Sequence, residues 1–139
     1  MKSLRILIVD DHEVVRRGLF ALLGTQVGWE VVGEAVNGPE AVKKANQMKP
    51  DVVIMDITMP VMSGLDATRL IMETAPQTKV LIFTMHDSEQ MMQSALEAGA
   101  RGYVLKSNAA SDLVAAIRAL AKDELPITSR TSKRTTKVI

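Results

Sequence analysis

The stretch RILIVDDHEVV, residues 5–15, runs four apolar residues directly into two adjacent aspartates, Asp10 and Asp11. A continuous apolar run of this length, without alternating polar residues, is typical of a parallel β-strand that is covered on both faces. The two carboxylates are therefore predicted to emerge at the carboxyl end of a buried strand. Charged groups at the edge of a hydrophobic core are costly unless they are compensated, so this pair indicates a candidate functional site.

Four more short apolar runs follow along the chain, and amphipathic helical segments separate them. Regular alternation of strand and helix predicts an α/β sheet with right-handed crossovers. We expect the flavodoxin-like (βα)5 class, a doubly wound sheet of five parallel strands; in its order 2-1-3-4-5 the strand order reverses between the first and third strands. Two of the helical segments cover about Pro39–Met48 and Asp87–Ala98, and Ser63 with Asp66 is placed as a weak capping box before another. The predicted strands are Arg5–Asp10, Glu30–Ala35, Asp51–Ile57, Lys79–Thr84 and Gly102–Leu105.

The composition fits one compact domain followed by a short basic segment. The chain has 139 residues, of which 47% are hydrophobic, enough for a single core and too few for two full domains. Residues 1–123 carry 13 basic and 15 acidic side chains, whereas residues 124–139 carry four basic and one acidic. We predict a domain over 1–123 and a flexible basic linker or tail over 124–139. The formal net charge of +1 does not favour nucleic acid or an anionic membrane as a ligand.

Several kinds of site and location are excluded or disfavoured by what the sequence lacks. There is no cysteine, which excludes disulfides and thiolate metal sites and fits a reducing compartment. The apolar run before Asp10 has only four residues, too short for the core of a signal peptide. No apolar stretch reaches the roughly 18 residues that a membrane span needs. We expect a cytoplasmic protein that has no membrane contact.

Polar residues fall at or just after the ends of four predicted strands. Parallel strands end at the same edge of a sheet, and ligands bind at that edge where the strand order reverses. We therefore expect these residues to share one crevice between the first and third strands. They are Asp10 and Asp11 after the first strand, Asp56 near the end of the third, Thr84 at the end of the fourth and Lys106 after the fifth.

The chemistry of this set favours a phosphoryl acceptor that works with magnesium. Neighbouring carboxylates repel one another and have raised pKa values unless a cation neutralises them. Hard oxygen donors select Mg²⁺, which keeps several waters and readily accepts a phosphate oxygen. A carboxylate such as Asp56 can attack phosphorus and form an acyl phosphate. The Lys106 ammonium and the Thr84 hydroxyl would then stabilise the oxygens of the transferred group.

The motifs LIVDDHEVVRRGL, DVVIMDITMPVMSG, VLIFTM and GARGYVLK, spread over roughly residues 4–122, together resemble the receiver domain of bacterial two-component response regulators. The segments DDHEVVRRGL and GEAVNGPEAV further resemble the NarL/FixJ subgroup, whose members carry a LuxR-type helix-turn-helix domain after the receiver. The resemblance implies a sensor histidine kinase as phosphodonor and homodimerisation on phosphorylation. It also implies a phosphoacceptor rather than an enzyme, with DNA binding only through a C-terminal domain outside these residues.

The same resemblance implies a role for each matching position. Many receivers have proline with a cis peptide directly after the conserved lysine, whereas here Ser107 follows Lys106. A cis bond before a non-proline residue costs about 3 kcal/mol, so the geometry of this loop is left open. Thr58 and His86 match positions that border the path of the water that hydrolyses the acyl phosphate. The implied Mg²⁺ ligands are Asp10, Asp11, Asp56 and the backbone carbonyl of Thr58; the implied catalytic residues are Asp56, Thr84 and Lys106; and the implied switch residues are Thr84 and Tyr103.

Three alternative functions share parts of this pattern. A haloacid dehalogenase-type phosphatase also uses an aspartate after its first strand, but it requires a second aspartate two positions later, where this chain has His12. A flavodoxin-like flavin binder needs a hydroxyl-rich phosphate loop and aromatic rings, whereas this loop is acidic and aromatic residues make up only 3%. An unphosphorylated receiver-like interaction module is disfavoured because all the site residues are present.

Overall fold

The computed structural model describes residues 3–122, and the linker or tail predicted over 124–139 lies outside the described residues. Five strands alternate with five helices along the described part of the chain. The strands are β1 (Leu4–Val9), β2 (Trp29–Ala35), β3 (Val52–Met55), β4 (Lys79–Thr84) and β5 (Gly102–Leu105). The helices are α1 (Glu13–Gly24), α2 (Gly38–Met48), α3 (Gly64–Thr74), α4 (Glu89–Ala98) and α5 (Ala110–Ala121).

The strands form one parallel sheet in the order β2-β1-β3-β4-β5, which confirms the predicted flavodoxin-like fold. In the centre of the sheet, Ile54 pairs with Ile8 of β1 on one side and Leu81 of β4 on the other. The pairing of β1 with the edge strand β2 shifts between Ile6 and Leu7. The strand order reverses between β1 and β3, so the crevice that such sheets use for ligands opens between these two strands.

Successive residues of the strands pack into two separate hydrophobic layers. Ile6 and Ile8 of β1 pack with buried residues of α1 and α5, whereas Leu7 and Val9 pack with buried residues of α2, α3 and α4. Because both faces of the sheet are covered by helices, the strands are apolar throughout rather than alternating. Among residues 3–122, no helix is long and apolar enough to cross a membrane.

The predicted ends of two strands are wrong by one or two residues. β1 stops at Val9 and β3 at Met55, so Asp10 and Asp56 lie just beyond the ladders rather than in them. Each of these aspartates accepts a hydrogen bond from a nearby backbone amide, and such local bonds compete with the pairing of strands. The capping box at Ser63 is confirmed in its first half, because the Ser63 hydroxyl accepts from the amide of Asp66 at 3.2 Å.

Candidate functional site

The structure brings the predicted polar residues together at the carboxyl edge of the sheet. Asp10 and Asp56 follow the adjacent strands β1 and β3, and both are buried. The ammonium of Lys106 lies 2.6 Å from Asp10 Oδ2 and 3.4 Å from Asp56 Oδ2, so one cation bridges two carboxylates. Thr84, at the end of β4, is fully buried. The structure therefore shows that these residues lie together. The functional role implied for each of them stays a prediction.

The backbone around Asp56 is fixed from both sides. Its amide donates to the carbonyl of Val9 at 3.0 Å, and its side-chain Oδ1 accepts from the amide of Ile57 at 2.9 Å. Gly64, at the start of α3, packs so closely that an added Cβ would lie 1.9 Å from the Asp56 carbonyl oxygen. A side chain at position 64 would therefore displace Asp56, and the glycine of the motif DVVIMDITMPVMSG is explained by this close approach.

Burial raises the pKa of the Asp56 carboxyl above its usual value of 3.8, and two neighbours act in opposite directions. The Lys106 cation lowers this pKa, whereas the Asp10 carboxylate raises it. The effect of burial is the largest of the three, because a desolvated carboxylate loses the hydration that stabilises its charge. The lone ammonium therefore only partly offsets the cost of the charge on Asp56.

Asp11 offers an oxygen that fits an additional cation. Its Oδ1 is buried and has no hydrogen-bond partner among the described residues. His12 Nδ1 lies 3.2 Å from this oxygen and 3.1 Å from Asp10 Oδ1, but only the contact with Asp10 has hydrogen-bond geometry. One ligand atom from each of Asp10, Asp11, His12 and Asp56 lies within 4.8 Å of the others. The oxygen-rich donor set and the orphaned carboxylate oxygen fit Mg²⁺.

His12 lies in the loop between β1 and α1, and 65% of its side chain is exposed. The contact of the His12 ring with Asp10 and Asp11 is not evident from the sequence, because this contact depends on the turn that the chain makes at Asp10. The Asp10 carboxylate accepts from the amide of His12 at 2.8 Å, and this bond brings the imidazole back over the two carboxylates.

His86 connects three of the predicted site residues. Its backbone amide donates to Thr84 Oγ1 at 3.2 Å, and its carbonyl accepts from the Tyr103 hydroxyl at 2.6 Å. Its ring Nε2 lies 2.7 Å from Thr58 Oγ1, which joins the loop after β3 to the loop after β4. Thr58 and His86 follow Asp56 and Thr84 by two residues in the sequence, but the sequence does not predict that their side chains form a hydrogen bond with each other.

Tyr103 is fully buried, and burial raises the pKa of its phenol to about 12. The neutral hydroxyl therefore remains a hydrogen-bond donor throughout the physiological range. The receiver resemblance implies a switch in which Thr84 moves towards the phosphoryl group and the Tyr103 ring fills the space that it vacates, whereas in this structure the ring is already buried. Residues 3–122 contain no cis peptide bond, so the loop after Lys106 continues through Ser107 in the trans form.

The family described as "Response regulator receiver domain" matches residues 6–118. The response regulator protein VraR of Staphylococcus aureus is 42% identical over 122 residues, which make up 88% of this chain and 58% of VraR. The chain thus spans less than two thirds of the length of this relative. A family match over most of the chain supports the receiver interpretation over the phosphatase and flavin-binding alternatives.

Two solved structures show the same fold at detectable sequence identity. A LuxR-family two-component response regulator from Aurantimonas sp. SI85-9A1 superimposes with a TM-score of 0.88 and is 38% identical, with 94% of this chain and 92% of that one covered. The isolated REC domain of RcsB from Salmonella enterica serovar Typhimurium, solved in the presence of the phosphomimetic BeF3⁻, gives a TM-score of 0.87 at 26% identity. That comparison covers 96% of this chain and 98% of the RcsB domain.

Proposed function

The chain belongs to the response regulator receiver family, and from this premise we propose that it accepts a phosphoryl group on Asp56 and changes conformation in response. The single observation that carries the proposal is the Lys106 ammonium, which lies between the buried carboxylates of Asp10 and Asp56. A cation in this position neutralises charge on the acceptor and is within reach of oxygens on a group attached to it.

In the transfer, an oxygen of Asp56 attacks phosphorus of a phosphohistidine as the P–N bond breaks. The imidazole leaves with the electron pair of that bond, and an acyl phosphate remains on Asp56. Lys106 stabilises the charge that develops on the transferred oxygens, and the Thr84 hydroxyl can donate to one of them. The acceptor does not turn over a substrate of its own, so we do not class the chain as an enzyme.

The donor set described above suits Mg²⁺ as the resident cofactor. We assign Asp10, Asp11, Asp56 and the backbone carbonyl of Thr58 as the residues that hold it. When bound, Mg²⁺ neutralises the phosphoryl oxygens and the surplus negative charge of the acidic residues. The Oδ1 of Asp11 supports this assignment, since it is buried without a hydrogen bond among the described residues, and such an oxygen is otherwise costly.

The switch is proposed to run from Thr84 to Tyr103 through His86. Movement of the Thr84 hydroxyl towards a phosphoryl group would break its bond with the His86 amide, while the His86 carbonyl holds the Tyr103 hydroxyl. Phosphorylation shifts the population only as far as it favours one arrangement over the other. The RcsB domain solved with a phosphomimetic shares this fold, which supports a phosphorylation-dependent role for the present chain.

The partners follow from the family. We propose a sensor histidine kinase as the phosphodonor and homodimerisation on phosphorylation. DNA would be bound only through a C-terminal domain outside these 139 residues, a proposal that the similarity to a DNA-binding LuxR-family response regulator from Staphylococcus aureus and the partial coverage of VraR support. A cytoplasmic location is proposed on the same basis, and no membrane partner is required.

Intact mass spectrometry tests the proposal. Incubation of the chain with acetyl phosphate and Mg²⁺ should add one phosphoryl group, and EDTA should prevent the addition. Asp56→Asn should abolish it. A full-occupancy adduct on the Asn variant, or equal modification in EDTA, would exclude Asp56 as the Mg²⁺-dependent acceptor. Complete absence of modification in the unaltered chain would favour the unphosphorylated interaction module.

A further inference from the structure

Arg16, on the first turns of α1, reaches two neighbours outside its own helix. One guanidinium nitrogen donates to the backbone carbonyl of Asp10 at 2.9 Å, and Nε donates to Glu34 Oε1, also at 2.9 Å. Only 15% of the side chain is exposed. A single planar group therefore links α1, the end of β1 and the edge strand β2, and its fork geometry orients both acceptors.

The contact with Asp10 lies where the pairing of the strands ends. The amide of Asp10 still donates to Ala35 at 3.1 Å, but β1 itself stops at Val9. The carbonyl of Asp10 belongs to the peptide unit that leads to Asp11, and Arg16 donates to it in place of a neighbouring strand. Since a peptide unit is planar, fixing this carbonyl also fixes the direction in which the chain enters Asp11.

The two aspartates differ in what holds their side chains. Both carboxylate oxygens of Asp10 are engaged, one by the amide of His12 at 2.8 Å and the other by Lys106 at 2.6 Å. Asp11 has a buried Oδ1 without a hydrogen-bond partner among the described residues. His12 Nδ1 lies 3.2 Å from this oxygen in a contact without hydrogen-bond geometry, so the position of the Asp11 carboxylate depends largely on the backbone that Arg16 holds.

We propose that Arg16 is a positioning residue for the divalent cation site. It orients the Asp10–Asp11 peptide so that the Asp11 carboxylate faces Asp10 and Asp56. The inference rests on the proposed function, in which these carboxylates hold Mg²⁺. Glu34 supports the role indirectly, because its carboxylate holds the other edge of the guanidinium. Arg16 touches neither the phosphoryl group nor the metal in this account, so its removal should weaken the binding of the cation and leave the transfer step intact.

Arg17 provides a matched control on the same helix. It is the next residue, it has the same side chain, and it pairs with Glu13 at 2.8 Å on the surface. Its side chain is 78% exposed. Exchange of Arg17 removes the same charge from α1 but breaks no contact with the Asp10–Asp11 peptide. It therefore separates the effect of net charge from the effect of releasing that peptide.

The test measures cation binding directly and then the dependence of phosphorylation on Mg²⁺. Binding of Mn²⁺, a comparable oxygen-seeking ion, is followed by electron paramagnetic resonance without any phosphodonor. Arg16→Ala should raise the Mn²⁺ dissociation constant about tenfold, as is typical when a residue that orients a ligand is lost. With acetyl phosphate, the half-saturating Mg²⁺ concentration should rise by the same factor while the rate at saturating Mg²⁺ is unchanged. Arg17→Ala should match the unaltered chain in both measurements.

Equal Mn²⁺ affinity in the two alanine variants would overturn the inference, as would a reduced rate at saturating Mg²⁺ with unchanged affinity. If Arg16→Ala does not fold, Glu34→Gln decides the matter: a raised dissociation constant supports the inference, and an unchanged one contradicts it. If the unaltered chain binds Mn²⁺ and is phosphorylated, a negative result with the variants contradicts only the positioning role of Arg16. If it does neither, the proposed function fails and the inference falls with it.

Discussion

The two edges of the sheet carry similar charged residues in different arrangements. At the amino edge, where the strands begin, charged side chains meet backbone groups. The guanidinium of Arg5 donates to the carbonyls of Met48 and Lys49 at 2.6 and 3.0 Å, and Asp51 accepts from the Arg5 amide at 2.8 Å. Lys79 donates to the carbonyl of Leu120 at 2.8 Å. These contacts join strand beginnings to the ends of α2 and α5.

At the carboxyl edge, the corresponding charges face one another. Lys106 lies between Asp10 and Asp56, and Asp11 keeps a buried oxygen that has no hydrogen bond within residues 3–122. The difference separates charges that are bonded to the backbone from the charges that the proposed function uses. A charged side chain that is hydrogen-bonded to backbone groups needs no further partner in the folded protein. Neighbouring carboxylates repel one another and need an additional cation or proton.

The largest expected contrast between the edges is that between Lys106→Met and Lys79→Met. In EDTA, loss of Lys106 leaves two buried carboxylates without their cation, and breaking such a buried pair costs about 3 kcal/mol of unfolding free energy. Mg²⁺ should restore part of this loss. Lys79→Met removes contacts that include the hydrogen bond to the Leu120 carbonyl and should cost about 1 kcal/mol, with or without Mg²⁺. Urea denaturation measures both variants, and equal, Mg²⁺-independent losses would remove the distinction between the edges.

Asp56→Asn should stabilise the folded protein at neutral pH. The folded pKa of Asp56 is raised above 3.8, so the folded state holds this proton to higher pH than the unfolded chain does. Stability falls as pH rises through the interval between these two pKa values, and the penalty persists above it. Asparagine carries no such penalty, so the melting temperature of the variant at pH 7 should be a few degrees higher. This rise corresponds to a gain in unfolding free energy on the order of 1 kcal/mol.

The gain from Asp56→Asn should disappear below about pH 3.8, where the aspartate is protonated in both states. Melting curves in EDTA across this range test the expectation. Asp51→Asn, at the amino edge, provides the control, since it replaces the charged acceptor of the Arg5 amide with a neutral one and should not stabilise the fold. A lower melting temperature for Asp56→Asn at pH 7 would contradict the account of a costly charge at the carboxyl edge.

A smaller effect is expected on the lifetime of the acyl phosphate. Thr58→Asn or His86→Gln should change the dephosphorylation rate severalfold, about 1 kcal/mol in barrier height, while Mg²⁺ affinity stays nearly constant. Because Thr58 Oγ1 and His86 Nε2 lie 2.7 Å apart, the two exchanges should be non-additive in a double-mutant cycle. Decay measured by phosphoprotein gel shift would count against this role if both variants matched the unaltered chain.

The smallest effect is expected at the amino edge. Trp29, the only tryptophan, begins β2 and lies under the guanidinium of Arg118, whose carbon is 5.7 Å from the ring centroid. Its emission should barely change when Mg²⁺ is added, because the acidic residues lie at the other end of the strands. A large, saturable quench would show that cation binding is felt across the whole sheet and that the two edges are not independent.

The strand pattern and the rule for parallel sheets are enough to predict the fold and the convergence of the candidate site. Asp10, Asp56, Thr84 and Lys106 lie far apart in sequence, yet each follows or ends a strand whose direction is set by the crossover connections. Their meeting at one edge therefore depends on topology, which the alternation of apolar runs and amphipathic helices indicates. It does not depend on the conformation of any one side chain.

Contacts that depend on side-chain conformation or on local backbone geometry were not predictable in the same way. The bond of Arg16 to the Asp10 carbonyl and that of Thr58 to His86 require particular rotamers on separate elements. Val61 has a left-handed backbone conformation, with φ at 74°. Its residue type does not predict this conformation, because β-branched residues rarely adopt it. It lies in a tight turn in which the amide of Met62 donates to the carbonyl of Pro60 at 2.8 Å.

The location of the phosphoryl group tests the central claim most directly. After incubation with acetyl phosphate and Mg²⁺, the acyl phosphate can be trapped by borohydride reduction, and peptide mass spectrometry can quantify the product at each of the 16 acidic residues of the chain. We expect the reduced product at Asp56 alone. Comparable labelling at Asp51 of the amino edge, or at Asp10 or Asp11 in place of Asp56, would contradict the assignment of the carboxyl edge as a phosphoacceptor site centred on Asp56.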